Sequence, residues 1–217
     1  MNIRNTIGVI GSGPIGRGIA TLLSRSDYSV TLGTRNPSAA KLRDLPAEVA
    51  VGSFADAADQ ETIVLSVVHG VARDLVAGVR ARLAGKVVID TMNAWIRADY
   101  VAAGLSEQLT EGSWLAAQLP ESSVARAYSH IDWDLLVPRA TQQPGVWAAA
   151  YAADDPGTRA VTERVIHDSG YVPVLVGKLA ESAPLDVGGL LWARMFKPEH
   201  MIALLGADEA SRNGRHF

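Results

Sequence analysis

Cysteine is absent from the 217 residues. That removes disulfides, thiolate nucleophiles and every cysteine-ligated zinc or iron–sulfur site at once, and it accords with a reducing compartment. An excess of one charge is also lacking. The 20 Lys and Arg against 23 Asp and Glu leave a net charge of −3, with no basic stripe to follow a nucleic-acid backbone. No apolar run approaches the roughly 20 residues that span a bilayer, and no apolar signal segment precedes the first strand, which is entered by residue 6. The five histidines, at positions 69, 130, 167, 200 and 216, include no H-x-x-x-H pair and no accompanying acid cluster, so a zinc site has no pattern to rest on. A G-x-S-x-G elbow and a Walker A loop are both missing. These absences leave a small-molecule function, with no nucleic acid and no membrane, in the cytoplasm.

What is present begins at once. Thr6 to Asp27 reads TIGVIGSGPIGRGIATLLSRSD. A short apolar strand (Ile7, Val9, Ile10) runs into Gly11-Ser12-Gly13-Pro14-Ile15-Gly16, and a helix follows with Ile15, Ile19, Leu22 and Leu23 on one face. Strand, glycines and helix in that order are the dinucleotide fingerprint in its required context. Gly11 allows the tight turn, Gly13 lets the backbone approach a pyrophosphate, and Gly16 lets helix and strand pack closely. The N–H groups and positive dipole end of the helix face the phosphates, and Pro14 suits the first helical position.

The identity of the dinucleotide turns on the end of the second strand, Tyr28 to Leu32. An acid there would bind the ribose 2′-OH of NAD. The chain instead has Thr34-Arg35-Asn36, with no acid from Ser29 through Leu42. A hydroxyl followed by a guanidinium suits a 2′-phosphate, which favours NADP(H). Lys41 and Arg43 add to the positive field.

Strand and helix alternate through the first half: a helix over Pro37–Leu45, strands over Glu48–Val51, Thr62–Val68, Lys86–Asp90 and Val124–Tyr128, and helices over Phe54–Ala58, Val71–Leu83 and Ser106–Leu119. The expected fold is α/β, a Rossmann-type doubly wound, mostly parallel sheet. Residues 1–140 form the NADP-binding part. Residues 141–217 complete the sheet with a strand over Gly145–Ala153, a helix opening at Asp155-Pro156, an edge-like strand over Tyr171–Val176 and a helical cap. That cap is read as an apolar helix over Leu185–Phe196, a short one over Glu199–Leu205, and a loose tail after Asp208. The apolar helix has too thin a polar face for full solvation. It suggests a homodimer, although core burial explains it as well. Asp90 reads as a cap or turn residue, and the tryptophans (Trp95, Trp114, Trp133, Trp147 and Trp192), which could stack on a planar ring, read mostly as core or interface anchors. His130 follows the sixth strand at the rim. It reads either as a donor to a substrate carbonyl or flavin oxygen, or as a loop residue facing water.

Several segments together resemble the NADPH-dependent F420 reductase family, F420H2:NADP oxidoreductase-like proteins also related to the reductase domains of membrane metalloreductases. They are GSGPIGRGIATLLSRSDYSVTLGTRNP, VVIDTMNAW, SEQL, LPESSVARAYSHI and YVPVLVGKL, in matching order over most of the chain. The resemblance implies that Thr34, Arg35 and Asn36 hold the 2′-phosphate and that Ser12, Pro14 and Ile15 contact the pyrophosphate and nicotinamide side. It implies that Val67, Val68, His69, Asn93 and Ala94 line the cofactor cleft. Ser129, His130 and Ile131 would flank a deazaflavin (F420) or flavin ring. Hydride would pass directly between ring carbons, with no catalytic acid, base or nucleophile. The chain departs from the family pattern at Ala94, where Pro is usual, at Leu175-Val176 before Gly177, at Lys178, and in the long segment 131–146 with its bulky Trp133. Two other functions fit the same residues: an NADPH-dependent reductase of a small imine or carbonyl, and a non-catalytic NADP sensor.

Overall fold

A computed structural model describes residues 5–94 and 109–213 of the chain. Its centre is an eight-stranded sheet of order β3-β2-β1-β4-β5-β6-β7-β8. The strands are β1 (Asn5–Ile10), β2 (Tyr28–Gly33), β3 (Val49–Gly52), β4 (Thr62–Leu65), β5 (Val87–Asp90), β6 (Ser123–Ala127), β7 (Ala148–Ala153) and β8 (Val172–Gly177). Every pairing is parallel except β6 with β7. The chain winds outward from β1 to β3, crosses back to β4 and winds the other way. The switch point therefore lies between β1 and β4, where open α/β sheets bind ligands beyond the carboxyl ends of their strands.

Helices cover both faces, and the strands show it residue by residue. Ile7 and Val9 of β1, Val64 of β4 and Ile89 of β5 face one core. There they meet Ile19, Leu22 and Leu23 of α1 (Pro14–Leu23), Leu136 and Ala140 of a helix over Trp133–Gln142, and Val165 and Ile166 of one over Pro156–Asp168. Ile10, Ile63, Leu65 and Val88 face the other core, against α2 (Phe54–Ala58), α3 (His69–Leu83) and α4 (Glu111–Gln118). The alternation is the period of two that a strand covered on both faces imposes. Capping follows the chemistry of the ends: Ser53 and Asp56 form a reciprocal capping box on α2, and Asp155 caps the Pro156 helix, accepting from Thr158 N.

Four segments depart from the spacing-based reading. Only Ala40–Leu42 of the predicted Pro37–Leu45 helix is helical, as a single 3₁₀ turn. Segment 131–146, for which the spacing names no element, holds α5 (Trp133–Gln142), capped by Asp132 and tolerating Pro138. Leu185–Phe196 is not a helix. After a 3₁₀ turn at Ala183–Leu185, Gly188 and Ala193 take positive φ of 79° and 51°, and Leu185 and Leu191 are buried beside Ala148, Ala150, Ala152 and Met201. The final helix runs Pro198–Asn213, beyond the loose tail expected after Asp208; with Pro156–Asp168 as α6, it is α7. The expected start of α4 at Ser106, and also Trp95 and His216, lie outside the described residues. Among the described residues, no helix is long and apolar enough to cross a membrane.

Candidate functional site

The site begins with the glycine turn. Gly11 leaves β1 with φ of 119°, and a Cβ there would sit 1.9 Å from the carbonyl oxygen of Ser66. The turn thus needs glycine both for its conformation and for its approach to the end of β4. A Cβ on Gly16 would sit 2.0 Å from the Gly11 carbonyl oxygen, so α1 packs directly on the turn. Gly13 is the opposite case: a Cβ there would meet nothing within 4 Å. It caps α1 with no side-chain hydrogen bond, and Pro14 follows it. An uncapped helix start beside open space can seat an anion. Arg17 Nη1 donates to Ser12 O at 2.9 Å, and the Ser12 and Thr34 hydroxyls hydrogen-bond at 2.9 Å. The phosphate loop is thereby tied to the end of β2. The Thr34 hydroxyl also accepts from Asn36 N at 3.4 Å, so Thr34 shapes the loop from within while Arg35 and Asn36 stand exposed.

These segments open onto one cleft of about 740 Å³. Of the residues singled out from the sequence, 11–15, 34–36, 67–68, 93 and 130–131 line it. Gly16, His69, Ala94 and Ser129 do not. Gly16 lies under the turn. His69 begins α3, but its ring is buried against Trp114 at 4.7 Å between centroids, and burial holds its pKa down at about 4. Ser129 stands behind the wall, its hydroxyl donating to Leu185 O at 3.2 Å. Phe54 and Val71 also line the cleft and were not singled out, and Trp192, grouped with the core anchors, lines it too. They come from separate elements, and no local pattern marks them.

The two ends of the cleft differ. Arg35 and Lys41, beyond β2, are the only Lys or Arg among the described lining residues. The far end, beyond β4 to β6, is walled by Val68, Met92, Ile131, Trp133 and Trp192. Trp133 is 58% exposed there although it opens a helix. His130 lines this end and is 1% exposed. Burial pushes its pKa down to about 4, against a hydrogen bond with the Ala148 backbone that favours the charged form, so the ring is neutral near pH 7. It is a buried group facing the cleft, not a loop histidine facing water.

Beneath this end lies a cluster absent from the sequence reading. Arg126, on β6, is fully buried. Its Nη1 donates to Asp90 Oδ2 at 3.0 Å and Met92 O at 2.9 Å, and its Nη2 donates to Glu111 Oε2 at 3.0 Å and Asn93 Oδ1 at 3.3 Å. Its Nε lies 2.8 Å from Asp186 Oδ1. Asp90 is therefore half of a buried ion pair as well as a turn residue, its Oδ1 accepting from Met92 N at 2.8 Å. One guanidinium faces three carboxylates. Burial accordingly raises the pKa of Asp90 and Asp186 and pushes Glu111 up to about 7. The missed signal was alternation: Arg126 lies two residues beyond the inward-facing Val124, so it too had to point into the core.

A doubly wound, mostly parallel sheet with a glycine turn at its switch point gives the chain a Rossmann-like α/β fold. Residues 6–94 match the family described as NADP oxidoreductase, coenzyme F420-dependent. That match spans the strands and helices from β1 to the end of β5 and agrees with the resemblance carried by the sequence motifs. Among curated proteins, the rat metalloreductase STEAP3 is 24% identical over 200 residues, covering 91% of this chain and 39% of that protein. Human metalloreductase STEAP2 is 28% identical over 131 residues, covering 60% of this chain and 25% of that protein. The chain thus spans well under half the length of these relatives. Among solved structures, a putative F420-dependent NADP reductase from Arthrobacter sp. FB24 superposes with a TM-score of 0.64 at 23% identity, covering 82% of this chain and 86% of that one. A hypothetical protein from Sinorhizobium meliloti, SMa0349, reaches 0.74 at 18% identity over 89% and 95%. Both structural likenesses concern the fold.

Proposed function

We propose that the chain transfers hydride between NADP(H), held along the carboxyl ends of β2, β1, β4 and β5, and a deazaflavin (F420) or flavin ring stacked at the Trp133 end of the cleft. The observation that carries this reading is the single cleft joining an uncapped helix start, a cationic loop and an aromatic-walled pocket. The open face of Gly13 and the exposed Arg35 fit the pyrophosphate and the 2′-phosphate. When bound, the dihydronicotinamide supplies the hydride. The chain's part is placement: Ser12 and Thr34 fix the phosphate loop, Val67, Val68 and Asn93 line the nicotinamide end, and Ile131 and Trp133 bound the space left for the acceptor while keeping water out. His130 serves as a neutral hydrogen-bonding contact for an acceptor oxygen or nitrogen.

An anaerobic mixture of protein, NADPH and F420, followed by deazaflavin absorbance, tests this directly. Bleaching that requires NADPH rather than NADH supports the reading, and no bleaching while NADPH still binds refutes the acceptor. A second acceptor class is favoured by one observation: no Lys or Arg among the described lining residues sits at the acceptor end to meet an anionic tail. A small neutral imine or carbonyl compound fits that wall, and oxidation of NADPH by cyclic imines without bleaching of F420 would select it.

A further inference from the structure

The buried Arg126 cluster lies outside the cleft, yet one of its partners, Asn93, lines it. A guanidinium has only donors. Arg126 Nη2 points at the Asn93 side chain at 3.3 Å, so the amide oxygen must face Arg126 and the amide nitrogen must face the other way. That nitrogen donates one hydrogen to Ser129 O at 2.9 Å. An amide nitrogen carries two hydrogens, and the second has no partner among the described residues. The backbone beneath is pinned by the same cluster: Met92 O accepts from Arg126 Nη1 at 2.9 Å, and Ala94 N donates to Glu111 Oε2 at 3.2 Å. Asn93 is thereby fixed in place and in sense, as a donor.

The topology says what meets that donor. The pyrophosphate seat is at the end of β1, and the adenosine side lies toward β2 and Arg35. In the strand order β2-β1-β4-β5, the nicotinamide must therefore extend toward β4 and β5. Asn93 follows the end of β5. We infer that Asn93 donates to the carboxamide oxygen of the nicotinamide and that Arg126, from behind the wall, is the positioning residue that makes Asn93 a donor there. A single donor on that oxygen sets the rotation of the carboxamide and hence the seating of the pyridine ring. This inference rests on the cofactor reading above, not on the choice of acceptor.

The test is a binding cycle with two probes, NADP+ and adenosine 2′,5′-bisphosphate, which lacks the nicotinamide. Asn93→Ala should weaken NADP+ by about 3- to 10-fold, the worth of one neutral hydrogen bond, and leave the bisphosphate unchanged. Asn93→Asp should weaken NADP+ further, because an acceptor then faces the carboxamide oxygen. Arg126→Lys keeps the buried charge but not the fork. It should weaken NADP+ when Asn93 is present and have no effect in the Asn93→Ala background. Equal losses for both probes at Asn93, or an Arg126→Lys loss that is the same with and without the amide, would overturn the inference by reducing the cluster to fold support. A wild-type chain that binds neither probe would remove the cofactor reading itself, and this inference with it.

Discussion

Arg35→Ala separates the two nicotinamide cofactors. Arg35 is exposed on a loop whose backbone is held independently of its side chain, by Thr34 N donating to Gly52 O at 2.9 Å and by the Ser12–Thr34 hydroxyl pair. The substitution therefore removes a charge without removing the loop. Because the site is open, the attraction is that of charges near water: about 1 kcal/mol per unit pair at about 4 Å. A 2′-phosphate carries a charge of about −1.5 to −2, so the loss comes to about 1.5–2 kcal/mol, or roughly 10- to 30-fold in affinity. NADH has no such group and should lose almost nothing. Dissociation constants for NADPH and NADH, measured by tryptophan fluorescence in wild type and variant, give the two losses directly. The wild-type preference for NADPH should also shrink as salt rises, since the screening length falls from about 10 Å at 0.1 M to about 3 Å at 1 M, while the variant stays flat. Equal losses for both cofactors, or a preference indifferent to salt, would refute the 2′-phosphate assignment.

Gly11→Ala places a Cβ 1.9 Å from Ser66 O on a residue with φ of 119°. The ends of β1 and β4 must part, and a loss of about 3 kcal/mol or more should appear as a melting temperature lower by about 6–12 °C; an unshifted melt would contradict the tight turn. His130→Phe fills the same space without ring nitrogens. It should raise KM for the acceptor by about 3- to 10-fold with NADPH affinity unchanged, and an effect on NADPH alone would place His130 on the cofactor instead. Glu111→Gln keeps the acceptor for Arg126 and Ala94 N but removes a titration. Burial pushes the folded pKa of Glu111 up to about 7, so its contribution to stability is full below the unfolded value of about 4.3 and is lost as pH rises through about 7. The melting temperature of Glu111→Gln minus that of wild type should therefore climb between about pH 5 and pH 8, and a difference independent of pH would show that Glu111 is ionised throughout.

The cleft segments proposed to hold the cofactor could be read from the chain because they are contiguous. Gly11, Gly13 and Gly16 sit between a strand and a helix that each announce themselves by period, and the β2 loop is legible from one missing acid and one arginine. The other side is assembled from distant parts. Leu185 to Phe196 is apolar because it is buried against the alanine face of β7, not because it is helical, and composition alone cannot separate the two. Gly188 and Gly189 were the available warning. A Cβ on Gly189 would stand 2.3 Å from Ala183 O, the approach of a folded-back turn. At α5, Pro138 obscured a helix that Asp132 was already capping. Arg126 draws its partners from β5, α4 and the turn after Leu185, a grouping that only the tertiary fold creates.

That division has a functional consequence. The dinucleotide end is built from backbone geometry and short-range bonds, so its shape follows from local sequence. The acceptor end is a stack of long-range ties. Asn93 is held by Ser129 and Arg126, Ser129 by Leu185 O, and Arg126 by Asp186, so the wall beside the nicotinamide is braced by the segment that follows β8. Trp192, from the same segment, faces the cleft. A change in that segment therefore reaches the acceptor wall through side chains that never touch the phosphates, whereas the glycine turn is insulated from it by the width of the sheet between β1 and β6. On the proposed reading, cofactor choice and acceptor choice fall to separate parts of one cleft, and the buried guanidinium at their junction is the group that ties the C-terminal segment to the nicotinamide end.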